Sequence, residues 1–341
     1  VKVNETMRKL RLGIIGAGKI STVHLQFLCA NPNVQVISIC DTVISKAKQQ
    51  AQRFDIPYVF DSWEALLDYD HIDAVDVLLP HNLHASISSI FLRHDKHVIC
   101  EKPLAITHAE VTHLENVSRS SRGNVYVKHY LRFSPIHQRA AKLLSKHMIG
   151  PIYLAIGCYE ANLDKQMSDP QTWKGDIQRA GGGILMDCGI HYIDYVNSIL
   201  GYPKYVTGNT KRIQVTIDSK GENLSHSVVH YKDTLVLITC NGCSAQSRLW
   251  TKHFYGATGR ISLIDDGKKS ARLEIFKGQK CLEIIEESNW WQQANENALS
   301  DIVNRILTDT PPLVSFADVR ASLDVVLRTY HASAEDSQVE L

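Results

Sequence analysis

The sequence lacks a charge imbalance, a long apolar run and any low-complexity segment. Its 37 Lys and Arg nearly cancel its 36 Asp and Glu over 341 residues, leaving a formal charge of +1. Binding to nucleic acid or to an acidic membrane surface calls for a basic excess or a basic cluster, and no run of five like charges occurs. No apolar stretch reaches the roughly 18 residues of a membrane span. The nearest, residues 184–200, is interrupted by Asp187, His191 and Asp194. The first ten residues are polar and carry no secretory core, so the expectation is a soluble, cytoplasmic protein with no nucleic-acid and no membrane partner. Of the eight cysteines, Cys29, Cys40 and Cys100 lie in apolar runs, where a thiol acts as a small hydrophobe. Cys240 and Cys243 form one CxxC with no second pair to complete a zinc site, and the 16 histidines are scattered, so no metal is expected.

What is present is enough apolar residue for about two domains, at 44% of the chain. Short apolar runs at 12–15, 34–40, 74–79, 98–100 and 124–128 alternate with helical patterns at 19–30, 43–54, 84–94 and 108–119. Near-continuous apolar strands alternating with helices imply a parallel sheet buried on both faces. Past residue 150 the rhythm changes. Strands are predicted at 152–160, 205–217, 225–231, 235–240, 248–255, 260–264, 271–276 and 280–285. Asp266-Gly267 and Lys277-Gly278 supply hairpin turns between the last of them. Only three helices are predicted there, at 183–200, 291–307 and 316–333, enough to cover one face of so large a sheet. The bare face calls for a second subunit, hence a homodimer or homotetramer.

The first strand runs into Gly16-Ala17-Gly18-Lys19-Ile20-Ser21. Gly16 permits the tight turn, Gly18 lets backbone approach a pyrophosphate at a helix N-terminus, and Ser21 is small enough for close helix–strand packing. Asp41 ends the second strand, twenty residues past Ser21. A carboxylate there accepts hydrogen bonds from the adenosine ribose and repels the extra phosphate of NADP; Thr42 follows with no Arg beside it. The pattern predicts a bound dinucleotide, NAD rather than NADP. Asp41 could equally serve to cap the next helix.

The strand Val98-Ile99-Cys100 ends in Glu101-Lys102-Pro103, placing charge where ligands meet such sheets. Further on, Asp187, His191 and Asp194 stand four and three residues apart, on one face at helical pitch, with Tyr192, Ile193, Val196, Ile199 and Leu200 opposite. A carboxylate one turn before a histidine can orient the imidazole for proton transfer near neutral pH. Asp194 is expected to be structural, bonded to nearby backbone.

At these residues the chain resembles the glucose–fructose oxidoreductase and inositol dehydrogenase group, Gfo/Idh/MocA. The resemblance runs from Leu12 to about Ala334 and is carried by Gly16 to Ile20, Leu79-Pro80-His81-Asn82-Leu83-His84, Glu101-Lys102-Pro103, Arg132-Phe133-Ser134-Pro135, and Gly181-Gly182-Gly183 through Asp187, Gly189, His191 and Asp194. It implies an α/β N-terminal Rossmann domain (residues 9–125) and an α+β C-terminal domain with a large, mostly antiparallel open sheet (126–334), the active site lying between them. It implies an oxidoreductase acting on a secondary hydroxyl of a cyclic polyol, sugar or sugar nucleotide. His191 would be the general base, Asp187 its orienting partner, and Lys102 the cation that holds the reacting oxygen. Gly16, Ala17, Gly18, Lys19, Ile20, Asp41, Pro80, Asn82, His84, Glu101, Lys102, Trp173 and Lys174 would then meet the cofactor, NAD. Lys102, Arg132, Asp187 and His191 would meet a small hydroxyl-rich substrate. His81 departs from the family's usual pattern by standing between Pro80 and Asn82. A non-enzymatic NAD-binding regulator and an NAD-dependent glycosidase on the same scaffold are the alternatives.

Overall fold

The computed structural model describes residues 8–69, 71–163, 167, 172–213, 221–245 and 248–335. The sequence readings for residues 1–7, 214–217 and 336–341 lie outside the described residues. The chain forms two compact units. One takes residues 8–105, 109–128 and Asn295–Ser315; the other takes Ile106–His108, His129–Ala294 and 316–335.

The first unit is a six-stranded sheet of β1 (Leu10–Ile15), β2 (Val34–Cys40), β3 (Tyr58–Phe60), β4 (Ala74–Val77), β5 (His97–Glu101) and β6 (Val125–Lys128). The strand order is β3-β2-β1-β4-β5-β6 and every pair is parallel. Helices α1 (Lys19–Leu28), α2 (Ile44–Phe54), α3 (Trp63–Leu67), α4 (His81–Arg93) and α5 (His108–Arg119) connect the strands. The order reverses between β1 and β4, the point at which such sheets open a ligand crevice at their carboxyl ends. Leu12, Ile14, Ile39 and Ala74 are fully buried with Leu25 of α1, and Leu299, Ile302 and Val303 return from the far end of the chain to the same core. Burying each such leucine, isoleucine or valine contributes about 1.5–3 kcal/mol. That return explains why Asn295–Ser315 belongs to this unit although the sequence reading assigned 126–334 to a single second domain.

The second unit holds α6 (Pro135–Ser145), β7 (Ile152–Glu160), a π-helical turn at Leu185–Gly189, α7 (Ile190–Leu200), β8 (Tyr205–Lys211), β9 (Leu224–His230), β10 (Leu235–Asn241), β11 (Leu249–Gly256), β12 (Gly259–Asp265), β13 (Ser270–Lys277), β14 (Lys280–Ser288), the start of α8 (Trp290–Leu307) and α9 (Phe316–Glu335). The eight strands run in the order β14-β13-β12-β11-β7-β10-β9-β8. Of their pairings only β7 with β10 is parallel, so the sheet is mostly antiparallel as expected. The helices cover one face: Tyr192 of α7 lies so close over Gly157 of β7 that a methyl group there would come 2.0 Å from the ring. On the other face Leu154, Ile156, Leu235, Leu237, Tyr255 and Phe276 are only partly buried.

Three differences from the sequence reading have local causes. The segment 183–200 is not one regular α-helix, because the turn at Leu185–Gly189 is π-helical. An inserted π turn breaks the 3.6-residue register that placed Asp187 and His191 on one stripe. The helix expected at 84–94 begins earlier, at His81, because Pro80 occupies its N-cap. The strand expected at 74–79 ends at Val77 for the same reason, since the chain must turn before the proline.

Candidate active site

In the first unit, β1 delivers the chain to Gly16, whose φ of +103° suits glycine alone. A Cβ there would lie 2.4 Å from the Leu78 carbonyl oxygen. Gly18 is the N-cap of α1, and a Cβ built on it meets nothing within 4 Å, so open space adjoins the loop. Helix α1, beginning at Lys19 and Ile20, has no side-chain cap and no acidic residue in its first turn. Its leading amides and the positive end of its dipole therefore remain available to an anion. Ser21 Oγ donates to Gly18 O at 2.6 Å and holds the loop from within.

Asp41 follows β2 and is aimed back at this loop. Its Oδ2 accepts from Ala17 N at 2.8 Å, while Oδ1 accepts from Val43 N at 2.8 Å. Each oxygen keeps a second lone pair for a hydroxyl. After β4, Pro80 caps α4 and Asn82 Oδ1 is buried with no hydrogen-bond partner among the described residues. An orphaned buried acceptor in the unit that holds an open anion cradle fits a bound dinucleotide. His84, by contrast, spends both ring nitrogens on backbone: Nδ1 lies 2.7 Å from Pro103 O and Nε2 2.8 Å from Leu79 O. Burial holds its basicity below the ordinary value against those carbonyls. His84 thus staples the loop after β4 to the Glu101-Lys102-Pro103 segment.

Beneath that segment lies a buried charge network that the sequence reading missed. His24 of α1 sets Nδ1 2.6 Å from Asp76 Oδ2 and Nε2 3.0 Å from Glu101 Oε1. Lys128 Nζ lies 2.8 Å from the same Glu101 oxygen and donates to Asn295 Oδ1 at 2.6 Å. The other Glu101 oxygen accepts from Lys102 N at 3.2 Å. A ring between two carboxylates donates from both nitrogens only as imidazolium. Burial opposes that charge, but Asp76 and Glu101 outweigh it and raise the His24 pKa. For Glu101, burial pushes the pKa up and Lys128 and His24 pull it well below the carboxylate range. The signal in the sequence was Asp76 inside the otherwise apolar β4 and Lys128 ending β6, since buried charge requires a partner.

In the second unit, Asp187 projects from the π turn and its Oδ2 accepts from Lys174 Nζ at 2.6 Å. Burial would depress the Lys174 ammonium, yet Asp187 holds its pKa above the ordinary value. Lys174 also lies 5.5 Å from the Trp173 ring centroid. The sequence reading gave both residues to the cofactor; the structure places Lys174 on Asp187. His191, in α7, is walled by aromatic rings, with Tyr130 at 4.4 Å, Trp250 at 6.3 Å and His129 at 6.3 Å between centroids.

Arg132, read as a substrate contact, clamps Asp194. Its Nε and Nη2 donate to the two Asp194 oxygens at 2.8 and 2.7 Å, and Nη2 lies 3.4 Å from Asp318. Asp194 is fully buried, and its partner is a distant guanidinium rather than the nearby backbone that the sequence reading expected. Glu222 anchors the start of this helical segment, accepting from Gly183 N at 2.7 Å and Leu185 N at 3.0 Å, while Tyr330 OH donates to it at 2.9 Å. Among the described residues no cluster of three or more His, Cys, Asp or Glu is arranged to hold a metal ion, and no helix is long and apolar enough to cross a membrane.

Residues 10–129 match the description "Oxidoreductase family, NAD-binding Rossmann fold", and residues 137–262 match the GFO/IDH/MocA C-terminal domain. The chain belongs to the GFO/IDH/MocA family. It is 33% identical over 192 residues to a trans-1,2-dihydrobenzene-1,2-diol dehydrogenase of Danio rerio, covering 55% of each chain. It is 30% identical over 264 residues to dTDP-3,4-didehydro-2,6-dideoxy-alpha-D-glucose 3-reductase of Actinomadura kijaniata, covering 74% of each. The match to the Danio rerio protein and those to D-glucoside 3-dehydrogenase of Escherichia coli K12 and an uncharacterized oxidoreductase of Bacillus subtilis span 55, 59 and 54% of those proteins' lengths, little more than half. Among solved structures, levoglucosan dehydrogenase in complex with NADH and levoglucosan superposes with a TM-score of 0.86 at 18% identity, covering 97% of this chain and 98% of that one. At that identity the likeness concerns the fold.

Proposed function

We propose that the protein is an NAD-dependent dehydrogenase that oxidises a secondary hydroxyl of a cyclic polyol, sugar or sugar nucleotide. The observation that carries this reading is the anion cradle of the first unit: the strained Gly16 turn, the uncapped start of α1 and an Asp41 carboxylate oriented by Ala17 N. Relatives named as diol, glucoside and levoglucosan dehydrogenases support the substrate class. Asp41 favours NAD, because its charge opposes a phosphate on the adenosine ribose. One similar structure is described as holding NADP, so the coenzyme preference is part of the proposal.

The cradle at Gly16 to Ile20 would hold the pyrophosphate and Asp41 the ribose, with Pro80 and Asn82 flanking the cofactor. When bound, the nicotinamide supplies the hydride acceptor. His191 takes the hydroxyl proton as the carbonyl forms, so that the alcohol loses one hydride and one proton in all. Asp187 favours the protonated imidazole, and Lys174 fixes the Asp187 carboxylate. The Lys102 ammonium stabilises the alkoxide character that develops on the reacting oxygen. Glu101, His84 and the charge network beneath them set the backbone from which Lys102 projects.

The partly exposed apolar face of the second unit's sheet is the surface on which a second copy would dock, giving a homodimer or homotetramer. The test of the activity is NADH formation with inositols, aldoses, amino sugars and sugar nucleotides, using wild type, Lys102→Ala and His191→Ala. Turnover that both substitutions reduce by about a hundredfold or more supports the assignment. Turnover unaffected by either would sink it, and NADH binding without turnover on any substrate would favour a regulator.

A further inference from the structure

The aromatic wall beside His191 continues to a cation that, among the described residues, no carboxylate contacts. Arg248 lies immediately before β11, and its aliphatic stem passes over Gly267. A Cβ on that glycine would come 2.0 Å from Arg248 Cδ, and Gly267 takes φ +79°, so the crossing needs glycine twice over. The stem is thereby directed and the guanidinium carbon comes to rest 6.0 Å from the Tyr159 ring centroid. Tyr159 meets Trp250 edge-on at 5.1 Å, and Trp250 meets His191 at 6.3 Å. Among the described residues Arg248 makes no ion pair or side-chain hydrogen bond; its one specific contact is the Tyr159 ring.

Of the groups that favour the Arg248 charge, the carboxylate, Asp187, is already engaged. Asp187 is bound to Lys174 at 2.6 Å, with Cys188 Sγ 3.9 Å from the same oxygen. Burial works against the Arg248 charge, while Tyr159, Cys188, Tyr130 and Asp187 all favour it. Among the described residues the half-buried Arg248 guanidinium therefore has a ring but no carboxylate in contact. A guanidinium so placed is matched by a planar anion that accepts two parallel N–H bonds.

We infer that Arg248 reads a carboxylate on the substrate, so that the ring oxidised beside His191 is that of a sugar acid such as a hexuronate. The inference rests on the oxidoreductase reading above and narrows its substrate class. The partly exposed ring of Tyr130 suits the apolar edge of the same sugar.

The test is calorimetric titration of the full chain, saturated with NADH, with D-glucuronate, D-galacturonate, D-mannuronate and L-iduronate. Each acid is compared with its own methyl ester, in which a methyl group removes the charge. The expected result is that at least one acid binds about tenfold or more tightly than its ester, as a charge-assisted bond provides. Arg248→Gln should bring acid and ester to within about threefold, and Arg248→Lys should fall between. Unchanged NADH affinity of the variants shows that they fold. If no acid outbinds its ester, if Arg248→Gln leaves the ratio in place, or if hexose 6-phosphates bind more tightly than the acids, the inference fails. NADH formation is recorded in parallel samples that hold NAD in place of NADH: acids that bind through Arg248 but yield no NADH there would overturn the dehydrogenase reading and leave this one standing.

Discussion

The Lys174 ammonium lies 2.6 Å from the Asp187 carboxylate, in a position where burial alone would discourage the ammonium's charge. The pair joins a residue read from sequence as cofactor-binding to one read as catalytic. Lys174→Met should therefore act through Asp187, lowering kcat about 10- to 100-fold, the scale of a misplaced catalytic group. NADH affinity measured on the same samples separates the two roles. A dissociation constant changed less than about threefold fits the ion pair, and a collapse of NADH binding fits direct cofactor contact.

His24 predicts how stability depends on pH. Its folded pKa is raised above the unfolded value of 6.5, so the stabilisation from its contacts with Asp76 and Glu101 is complete below that pH. It is lost as pH rises through the folded value. Glu101 has the opposite sign: its pKa is depressed below 4.5, and its contribution disappears as pH falls through the folded value. Urea midpoints for wild type should decline on the alkaline side of pH 6.5, and His24→Gln should flatten that decline. Parallel curves for the two proteins would remove the imidazolium from the account.

Gly16→Ala should lose both stability and cofactor. A methyl group 2.4 Å from the Leu78 carbonyl oxygen, at φ +103°, cannot be accommodated without backbone movement. The expected cost is about 1–3 kcal/mol by denaturation, with loss of NADH binding even in conditions where the variant is folded. Gly18→Ala meets open space in the protein itself, so it should fold normally and weaken only the cofactor.

Arg132 distinguishes a clamp from a substrate contact. Arg132→Leu strands the fully buried Asp194 carboxylate and should cost about 3–5 kcal/mol. The double variant Arg132→Leu with Asp194→Leu should recover much of that loss, since a buried pair replaced together leaves no bare charge. If Arg132→Leu instead preserves the urea midpoint and raises KM alone, the residue belongs to the substrate.

Coenzyme choice should turn on Asp41. Replacing it with Ser and adding Thr42→Arg removes the repulsion of a ribose phosphate and supplies a cation for it. The ratio of kcat/KM for NAD over NADP should fall about tenfold or more, measured with one substrate. An unchanged ratio would mean that the contacts of Asp41 with Ala17 N and Val43 N are its whole purpose.

Much of the architecture was legible in the chain. The parallel unit showed as apolar runs alternating with helical patterns, and the antiparallel sheet as alternation between hairpin turns. The short β3 and α3 escaped because three and five residues carry too little periodicity to register. The start of α6 was likewise hidden, although Pro135 at its first turn is a helix-start signal. The π turn at Leu185–Gly189 has no compositional mark, so even spacing overstated how regularly Asp187 and His191 face one way.

The sequence by itself determined the chemistry that local geometry can specify. A glycine at +103° is required where a strand turns into a helix against a neighbouring carbonyl, and a carboxylate ending the second strand comes to face that turn. Pairing across the chain was decided only by tertiary structure. His24 meets Asp76 and Glu101, Lys128 meets Asn295, and Arg132 meets Asp194 across 52, 77, 167 and 62 residues of sequence. A charge removed from water must find an opposite charge or a hydrogen-bond partner. Which one it finds depends on the strands and helices that folding brings alongside it.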